Sequence, residues 1–267
     1  MKTRTISGAV LVVIAAASCY FGGPVLLAVM LFCSLFGLHE MNKANGLEEP
    51  SVLTPLTAPG YLFGIAYYLT LFLSKGNGSL LLPMLALGLM GYMTVYVLTF
   101  PRYKAEQVMD ACFGFFYAVL MLSFVYLIRI TEKGALAIWL VFLTSWVADT
   151  FAYLAGRAFG RHKMAPVLSP KKTIEGAVGG VLASGVAGVI YAFAAEGGSA
   201  VLEYALICMA GALISIIGDL AASAVKRDRG IKDYSHLIPG HGGILDRFDS
   251  MIFTAPVIYF LLQLLIY

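Results

Sequence analysis

Four aspartates in otherwise apolar stretches are the residues best placed to do chemistry. Asp149 lies in LTSWVADTFAYLAG, Asp219 in LISIIGDLAASAVKR, and Asp246 and Asp249 in GGILDRFDSMIF. A carboxylate inside an apolar helix costs about 2.5–3.5 kcal/mol on insertion scales, so it needs a polar cavity, a partner or a metal. Clustered carboxylate oxygens are ligands that Mg²⁺ prefers. The sequence therefore predicts a magnesium site built from these four acids.

Two of these positions also have simpler interpretations. Asp219, Ser223 and Lys226 follow at i, i+4 and i+7, so they share one helix face, and Lys226 could form a structural ion pair with Asp219. Asp246 and Asp249 could be ordinary residues of a first helical turn, where the helix dipole favours acids. Both alternatives remain open on the spacing alone.

A basic segment, GRAFGRHKMAPVLSPKKTIEG, precedes another apolar run. Ser169 or Thr173 could cap the helix that follows, and Pro170 suits a first-turn position. Lys171 and Lys172 would add positive charge to the outward-pointing N–H groups of that helix end. The segment predicts an anion site, although lysines also flank membrane spans simply by the positive-inside rule.

A glycine-rich loop, LIPGHGGILDR, follows further along the chain. Gly242 and Gly243 would let the backbone approach a ligand closely, which favours a phosphate cradle. His236 and His241 could act as metal ligands, as acid–base groups or as hydrogen-bond donors. The G-x-x-x-x-G-K-S/T pattern is absent from the sequence, so an ordinary P-loop nucleotide site is excluded.

The composition is that of an integral membrane protein. The 267 residues are 60% hydrophobic and 12% charged, and the mean hydropathy is +0.86, whereas soluble domains are about 25% charged. We expect an all-α, polytopic membrane domain over residues 1–267, with N-terminal helices in 1–134 and catalytic helices and cytoplasmic loops in 135–267. The first apolar run resembles a signal peptide, but a second run follows directly, which favours two linked membrane helices. The four cysteines form no C-x-x-C pair, so neither a disulfide framework nor a zinc site is expected.

The apolar runs predict about nine transmembrane helices with short loops. They begin near residues 5, 24, 60, 79, 107, 135, 174, 201 and 251. If the N-terminus is cytoplasmic, every Lys and Arg except Lys75, Arg129 and Lys133 falls on the cytoplasmic side, in keeping with the positive-inside rule. The basic loops 157–173 and 225–250 would then both face the cytoplasm.

The string SAVKRDRGIKDYSHLIPGHGGILDRFD, from Ser223 to Asp249, resembles the signature of the phosphatidate cytidylyltransferases, also called CDP-diacylglycerol synthases. The upstream strings DTFAYLAGRAFGR and SPKKTIEG are similar to a second recurring region of that family. The specific resemblance covers about residues 145–250, and the preceding helices match only in general hydropathy.

The resemblance implies a reaction in which CTP and phosphatidic acid give CDP-diacylglycerol and pyrophosphate, with Mg²⁺ required. It implies that Asp219 and Asp246 are the best metal ligands, with Asp149 and Asp249 as additional candidates. The implied catalytic residues are Asp219, Lys226, Arg227, Asp246 and Asp249. The implied substrate-binding residues are Ser169, Lys171, Lys172, Ser223, Lys232, His241, Gly242, Gly243 and Arg247.

On this interpretation the partners are CTP, phosphatidic acid and the lipid bilayer, with no nucleic acid, and homodimerisation is left open. The expected location is a bacterial-type inner membrane, with the active site facing the cytoplasm. Two alternatives are kept. A CTP-dependent lipid kinase would use the same nucleotide and metal but attack the γ-phosphate, and a transporter for a phosphorylated solute would also place acids and lysines in a membrane cavity.

Overall fold

The expected all-α architecture is confirmed. A computed structural model describes residues 2–48 and 53–267, with side chains from Ser7 onward. The side chains of Lys2 and Arg4, which contribute to the predicted charge asymmetry, lie outside the described residues. The helices are α1 (Lys2–Phe21), α2 (Gly23–Ala44), α3 (Ala58–Leu73), α4 (Gly78–Leu98), α5 (Ala105–Gly114), α6 (Met121–Arg129), α7 (Gly134–Phe159), α8 (Ile174–Glu196), α9 (Val201–Asp228) and α10 (Leu245–Leu265). A π-helical segment, Phe115–Leu120, joins α5 to α6 without a break.

Helices dominate because a chain in hydrocarbon must satisfy its backbone hydrogen bonds within each segment. Seven helical segments of the described chain are long and apolar enough to cross a membrane, and Ser7–Phe21 and Ala58–Leu73 are shorter apolar helices. The protein is therefore an integral membrane protein, and the count of nine crossings stays a prediction. Eight of the predicted helix starts agree with the structure within three residues.

The start of the last helix is predicted wrongly. The apolar pattern places it near residue 251, whereas α10 begins at Leu245. Four of the six additional residues are polar, namely Asp246, Arg247, Asp249 and Ser250, so hydropathy does not count this segment as helix. Asp246 therefore lies in the first turn of α10, as the simpler interpretation of this acid requires.

A small antiparallel sheet was not expected. Strands β1 (Lys163–Ala165) and β2 (Ser169–Thr173) pair between α7 and α8. Ser169 and Pro170 thus lie in a strand, and the expectation that Ser169 caps α8 or that Pro170 occupies its first turn is wrong. Thr173 is the cap, because its Oγ1 accepts a hydrogen bond from the N–H of Gly176 at 3.2 Å.

The chain divides into two compact units. The first contains residues 1–130 and 229–247, and the second contains residues 131–228 and 248–267. The segment 229–247, which sequence order assigns to the C-terminal half, belongs to the first unit because its polar groups bond to the N-terminal helices.

The first unit is held by aromatic side chains and by polar contacts that close helix ends. Tyr67 and Tyr68 are fully buried, and the Tyr68 hydroxyl is 2.7 Å from that of Ser34. At the end of α1 the guanidinium of Arg129 donates to the carbonyls of Cys19 and Tyr20, at 3.0 and 3.4 Å. These carbonyls belong to the last turn of α1, so they have no N–H donor within the helix.

The second unit is built around α8, which packs against α7 and α9 through small residues. A Cβ at Gly180 would lie 2.7 Å from the carbonyl oxygen of Ala148 in α7, and one at Gly188 would lie 2.5 Å from that of Tyr204 in α9. Glycine thus sets the helix spacing, as is common in membrane proteins.

At the end of α8 the Glu196 carboxylate accepts a hydrogen bond from Lys133 Nζ at 3.0 Å, which raises the pKa of Lys133.

The four cysteines are all free. Cys19, Cys33 and Cys208 are buried, and Cys112 is half-buried.

Candidate active site

The second unit contains a cavity of about 290 Å³ with both acidic and basic walls. Its charged lining residues are Asp149, Arg157, Lys171 and Lys172. Alanines and glycines of α7 and α8 line much of the remainder. The volume is near the lower end of the roughly 300–1,000 Å³ typical of ligand pockets, so the cavity suits a polar head group or a few phosphates.

Asp219 and Lys172 form an ion pair beside this cavity. Their side chains are 31% and 27% exposed, so solvent reaches both partners. Asp149 is close enough to interact electrostatically with both Lys172 and Asp219. The structure therefore brings together two of the four predicted acids and one predicted substrate-binding lysine.

The β1–β2 hairpin positions the two lysines. Both precede Thr173, whose side chain caps α8, so the strand ends where that helix begins. The fit is tight: a Cβ at Gly156 or at Gly160 would lie 2.9 Å from the Thr173 Oγ1. Lysines placed beside a helix N-terminus combine their charge with the positive end of the helix dipole.

The remaining predicted residues of the second unit lie on α9, α10 and β2. Ser223, Lys226 and Arg227 occupy the last turns of α9, with Lys226 buried and Arg227 exposed. Asp249 lies one turn into α10, and its carbonyl oxygen would be 2.8 Å from a Cβ at Gly218, the neighbour of Asp219. Ser169 is at the far end of β2 from the cavity wall.

In the first unit, Asp246 organises the glycine-rich loop. Its Oδ2 accepts hydrogen bonds from the backbone N–H groups of Tyr234 and Gly243, at 2.8 and 2.9 Å. Asp246 is 5% exposed. Gly242 has a φ of +84°, and a Cβ there would lie 2.8 Å from the same Oδ2. The backbone of the glycine-rich loop thus folds around the Asp246 carboxylate.

Glu40, near the end of α2, is a second buried acid in this region, and sequence reasoning missed it. It is 2% exposed. Its Oε1 accepts from the Ser235 hydroxyl at 2.6 Å and from the Ile244 N–H at 2.9 Å, and its Oε2 accepts from the Leu245 N–H at 2.8 Å. An acid near the end of a predicted apolar run was a usable signal.

Two further contacts fix the same segment to the N-terminal helices. His241 Nδ1 is 3.0 Å from the Ser7 hydroxyl of α1, so this histidine is a hydrogen-bonding residue. Arg229 donates to both carboxylate oxygens of Asp110 in α5, each at 2.9 Å. The predicted residues of this segment are Lys232, His241, Gly242, Gly243, Asp246 and Arg247, and all belong to the first unit.

With this geometry described, comparison with known proteins decides the family. The model of the Cytidylyltransferase family matches residues 2–265. The chain belongs to this family. Proteins named phosphatidate cytidylyltransferase include one from Staphylococcus haemolyticus (strain JCSC1435), 32% identical over 98% of this chain and 99% of the relative. Another, from Staphylococcus aureus (strain COL), is 30% identical over the same shares of the two chains.

Membership in the cytidylyltransferase family confirms the resemblance found in the signature strings. It makes the chain a nucleotidyltransferase, which does not fit the transporter alternative. The match extends through the N-terminal helices, beyond the region that the sequence motifs cover.

The donor set is compatible with Mg²⁺, provided that a substrate completes the coordination. In the described part of the chain, no group of three or more His, Cys, Asp or Glu side chains is arranged to hold a metal. Mg²⁺ is commonly held by one or two carboxylates together with waters and substrate phosphates. Asp149 and Asp219, beside a lysine-lined cavity, fit that requirement.

Proposed function

We propose that the chain is a phosphatidate cytidylyltransferase, which transfers CMP from CTP to phosphatidic acid and releases pyrophosphate. The observation that carries the proposal is the cavity lined by Asp149, Lys171 and Lys172, with Asp219 paired to Lys172 beside it. Both substrates are polyanions, and one is anchored in lipid, so a cation-lined cavity in a membrane enzyme suits them. The names of the Staphylococcus relatives support the same assignment.

In the proposed reaction, a phosphate oxygen of phosphatidic acid attacks the α-phosphorus of CTP. The new P–O bond forms as the bond from the α-phosphorus to the bridging oxygen breaks, and pyrophosphate leaves with that electron pair. A phosphomonoester has a second pKa of about 6, so the attacking oxygen is already largely ionised at neutral pH. No strong general base is required, and positioning and charge neutralisation dominate the catalysis.

Lys171 and Lys172 supply that neutralisation. Both line the cavity, with Arg157 on the same wall. When a phosphate enters, Lys172 can exchange its contact with Asp219 for one with the phosphate, because both partners of the ion pair are partly exposed. Lys226, Arg227, Lys232 and Arg247 are proposed to hold the remaining phosphate charge.

Asp219 and Asp149, which lie near each other at the cavity, are proposed as Mg²⁺ ligands; Asp246, which the resemblance ranks with Asp219, and Asp249 are kept as candidates from the signature. Bound Mg²⁺ would polarise the phosphoryl oxygens and neutralise the charge that develops on pyrophosphate. Asp246 already accepts two backbone N–H groups through Oδ2, which fixes the direction of its carboxylate. Its contribution would therefore come from a preorganised position.

The active site is proposed to face the cytoplasm of a bacterial inner membrane, where CTP is available. The basic residues of the β1–β2 hairpin follow α7 and precede α8, both of which are long enough to span a bilayer. This placement agrees with the charge asymmetry of the loops. A homodimer stays a prediction.

The deciding experiment follows the two ends of the CTP triphosphate separately. The purified protein in detergent would be incubated with phosphatidic acid, Mg²⁺ and CTP labelled at either the α- or the γ-phosphate. We expect the α-label in lipid and the γ-label in pyrophosphate. Transfer of the γ-label to lipid would identify a lipid kinase, and the absence of transfer to any lipid acceptor would overturn the proposal.

A further inference from the structure

We infer that Glu40, on the N-terminal helix α2, is a positioning residue for the glycine-rich loop and for the start of α10. It acts through the backbone of residues 243–245, without a role in contacting substrate. Its effect on turnover rests on the proposed function, whereas its effect on the loop backbone does not.

The first reason is the way in which the Glu40 charge is compensated. A buried carboxylate is destabilising unless hydrogen bonds or a counter-charge replace its water. Glu40 receives three hydrogen bonds, and all come from the segment that contains the signature residues: Ser235, Ile244 and Leu245. The acid and the loop therefore stabilise each other.

The second reason is that the residue preceding α10 has no polar side chain with which to cap the helix. The first N–H groups of a helix have no partner within it and are usually satisfied by Ser, Thr, Asp or Asn at the preceding position. Ile244 precedes α10 and has no polar side chain. The Glu40 carboxylate takes over this function from a distant part of the sequence, and its negative charge also matches the positive end of the helix dipole.

The third reason is steric. A Cβ at Gly243 would lie 2.4 Å from Glu40 Oε1, which no real contact tolerates. The absence of a side chain at residue 243 is what allows the carboxylate to reach the next two N–H groups. Gly243 is thus coupled to Glu40, and this coupling gives the glycine a function independent of any phosphate.

The consequence concerns Asp246. The Gly243 N–H donates to Asp246 Oδ2, and the next two N–H groups donate to Glu40. Three successive peptide groups are therefore shared between two carboxylates. If the Glu40 carboxylate is removed, the N–H groups of Ile244 and Leu245 lose their acceptor. The backbone that orients Asp246 is then less restrained, although the sequence of the loop is unchanged.

The test compares Glu40→Gln with Glu48→Gln in the full-length protein. Glu48 is another buried acid of the first unit, but its Oε2 bonds to Tyr61 and His39 and not to the loop. The glutamine keeps the shape of Glu40 while replacing one acceptor with a donor. Hydrogen exchange of residues 243–245 would be measured in detergent, together with kcat and KM for CTP.

We expect Glu40→Gln to speed exchange of these amides by about tenfold or more, because hydrogen bonds to a charged group are lost. The kcat should fall by about 10- to 100-fold, as for partners that orient a ligand, while KM for CTP stays close to that of the wild type. Glu48→Gln should leave exchange in residues 243–245 unchanged. Wild-type exchange in Glu40→Gln, or an equal effect of both variants, would overturn the inference.

A double-mutant cycle tests the steric coupling and does not depend on how well Glu40→Gln folds. Gly243→Ala should reduce turnover strongly in the wild-type background and less in the Glu40→Ala background, since the colliding carboxylate is then absent. Equal factors in both backgrounds would contradict the inference. If the wild type transferred no nucleotide, the exchange measurement would still decide the role of Glu40 while the proposed function failed.

Discussion

At the scale of single residues, the chain compensates its half-buried and buried acids in two different ways. Asp219 is paired with the mobile ammonium of Lys172, which a metal or a phosphate can displace. Glu40 and Asp246 instead accept backbone N–H groups, which cannot move without unfolding the loop. The first kind of contact suits an exchangeable catalytic site, and the second suits a scaffold.

The Asp219→Asn substitution tests the first kind of contact. We expect CTP-dependent turnover to fall by about 10- to 100-fold or more, by analogy with groups that act on a bound metal. The Tm of the protein in detergent should stay near that of the wild type. Glu203→Gln, in the first turn of the same helix, is the matched control. Near-normal turnover in Asp219→Asn would refute its assignment as a metal ligand.

Lys171 offers a separate prediction about binding. Lys171→Ala removes a cation from the cavity wall, so KM for CTP or for phosphatidic acid should rise with a smaller change in kcat. Lys163→Ala, an exposed lysine of the neighbouring strand, serves as the control. If the kinetic constants of Lys171→Ala matched those of the wild type, this lysine would be only a membrane-flanking charge.

Sequence reasoning selected Asp149, Asp219 and Lys172, which the structure brings together, because an acid in an apolar run and a lysine pair before a helix are local signals. It missed Glu40, because an acid in the string HEMNK is typical of the polar end of a helix. The partners of Glu40 lie 195, 204 and 205 residues further along the chain. No local pattern contains that information.

At the scale of elements, the apolar runs predict the helices well, because length and hydropathy decide whether a segment can cross a bilayer. The β1–β2 hairpin could not be predicted in this way. Its strands have only 3 and 5 residues, and neither alternates apolar and polar side chains clearly. The start of α10 was misplaced for a related reason, because its first turn is stabilised by a distant carboxylate.

The packing of α8 gives an element-scale prediction. Gly180→Ala would place a methyl group 2.7 Å from the Ala148 carbonyl oxygen, so the two helices must move apart. We expect a loss of about 1–3 kcal/mol of stability, as for overpacked cores, seen as a lower Tm in detergent. Gly78→Ala, with no heavy atom within 4 Å of the added Cβ, should leave Tm nearly unchanged. Equal Tm values for the two variants would contradict this packing.

At the scale of the whole molecule, the helices are predicted to cross the membrane in alternating directions, and contacts within each unit join helix ends that this prediction places on one side. In the first unit, Arg129 at the end of α6 bonds to the end of α1. In the second unit, Lys133 before α7 bonds to Glu196 at the end of α8, and the Thr131 hydroxyl is 2.8 Å from that of Tyr267. Under the positive-inside rule, the connections that carry these pairs are predicted to lie opposite the basic loops.

Cysteine labelling would check this orientation. Val167, 85% exposed at the hairpin tip, and Ser199, exposed between α8 and α9, would be replaced singly by cysteine. A membrane-impermeant maleimide should label Val167→Cys only in inverted vesicles and Ser199→Cys only in right-side-out vesicles. The wild-type protein, with three buried and one half-buried cysteine, gives the background. Labelling of both variants from the same side would contradict the predicted crossing of α8.

The contact between α2 and the start of α10 can form only late in biosynthesis. Glu40 enters the membrane early, whereas the peptide groups that receive its charge are made 204 and 205 residues later. At about 5–20 residues per second, that interval is roughly 10–40 s. Until then the N–H groups of Ile244 and Leu245 are not available to the Glu40 carboxylate. Glu40 therefore gains its backbone donors only once the start of α10 has been synthesised.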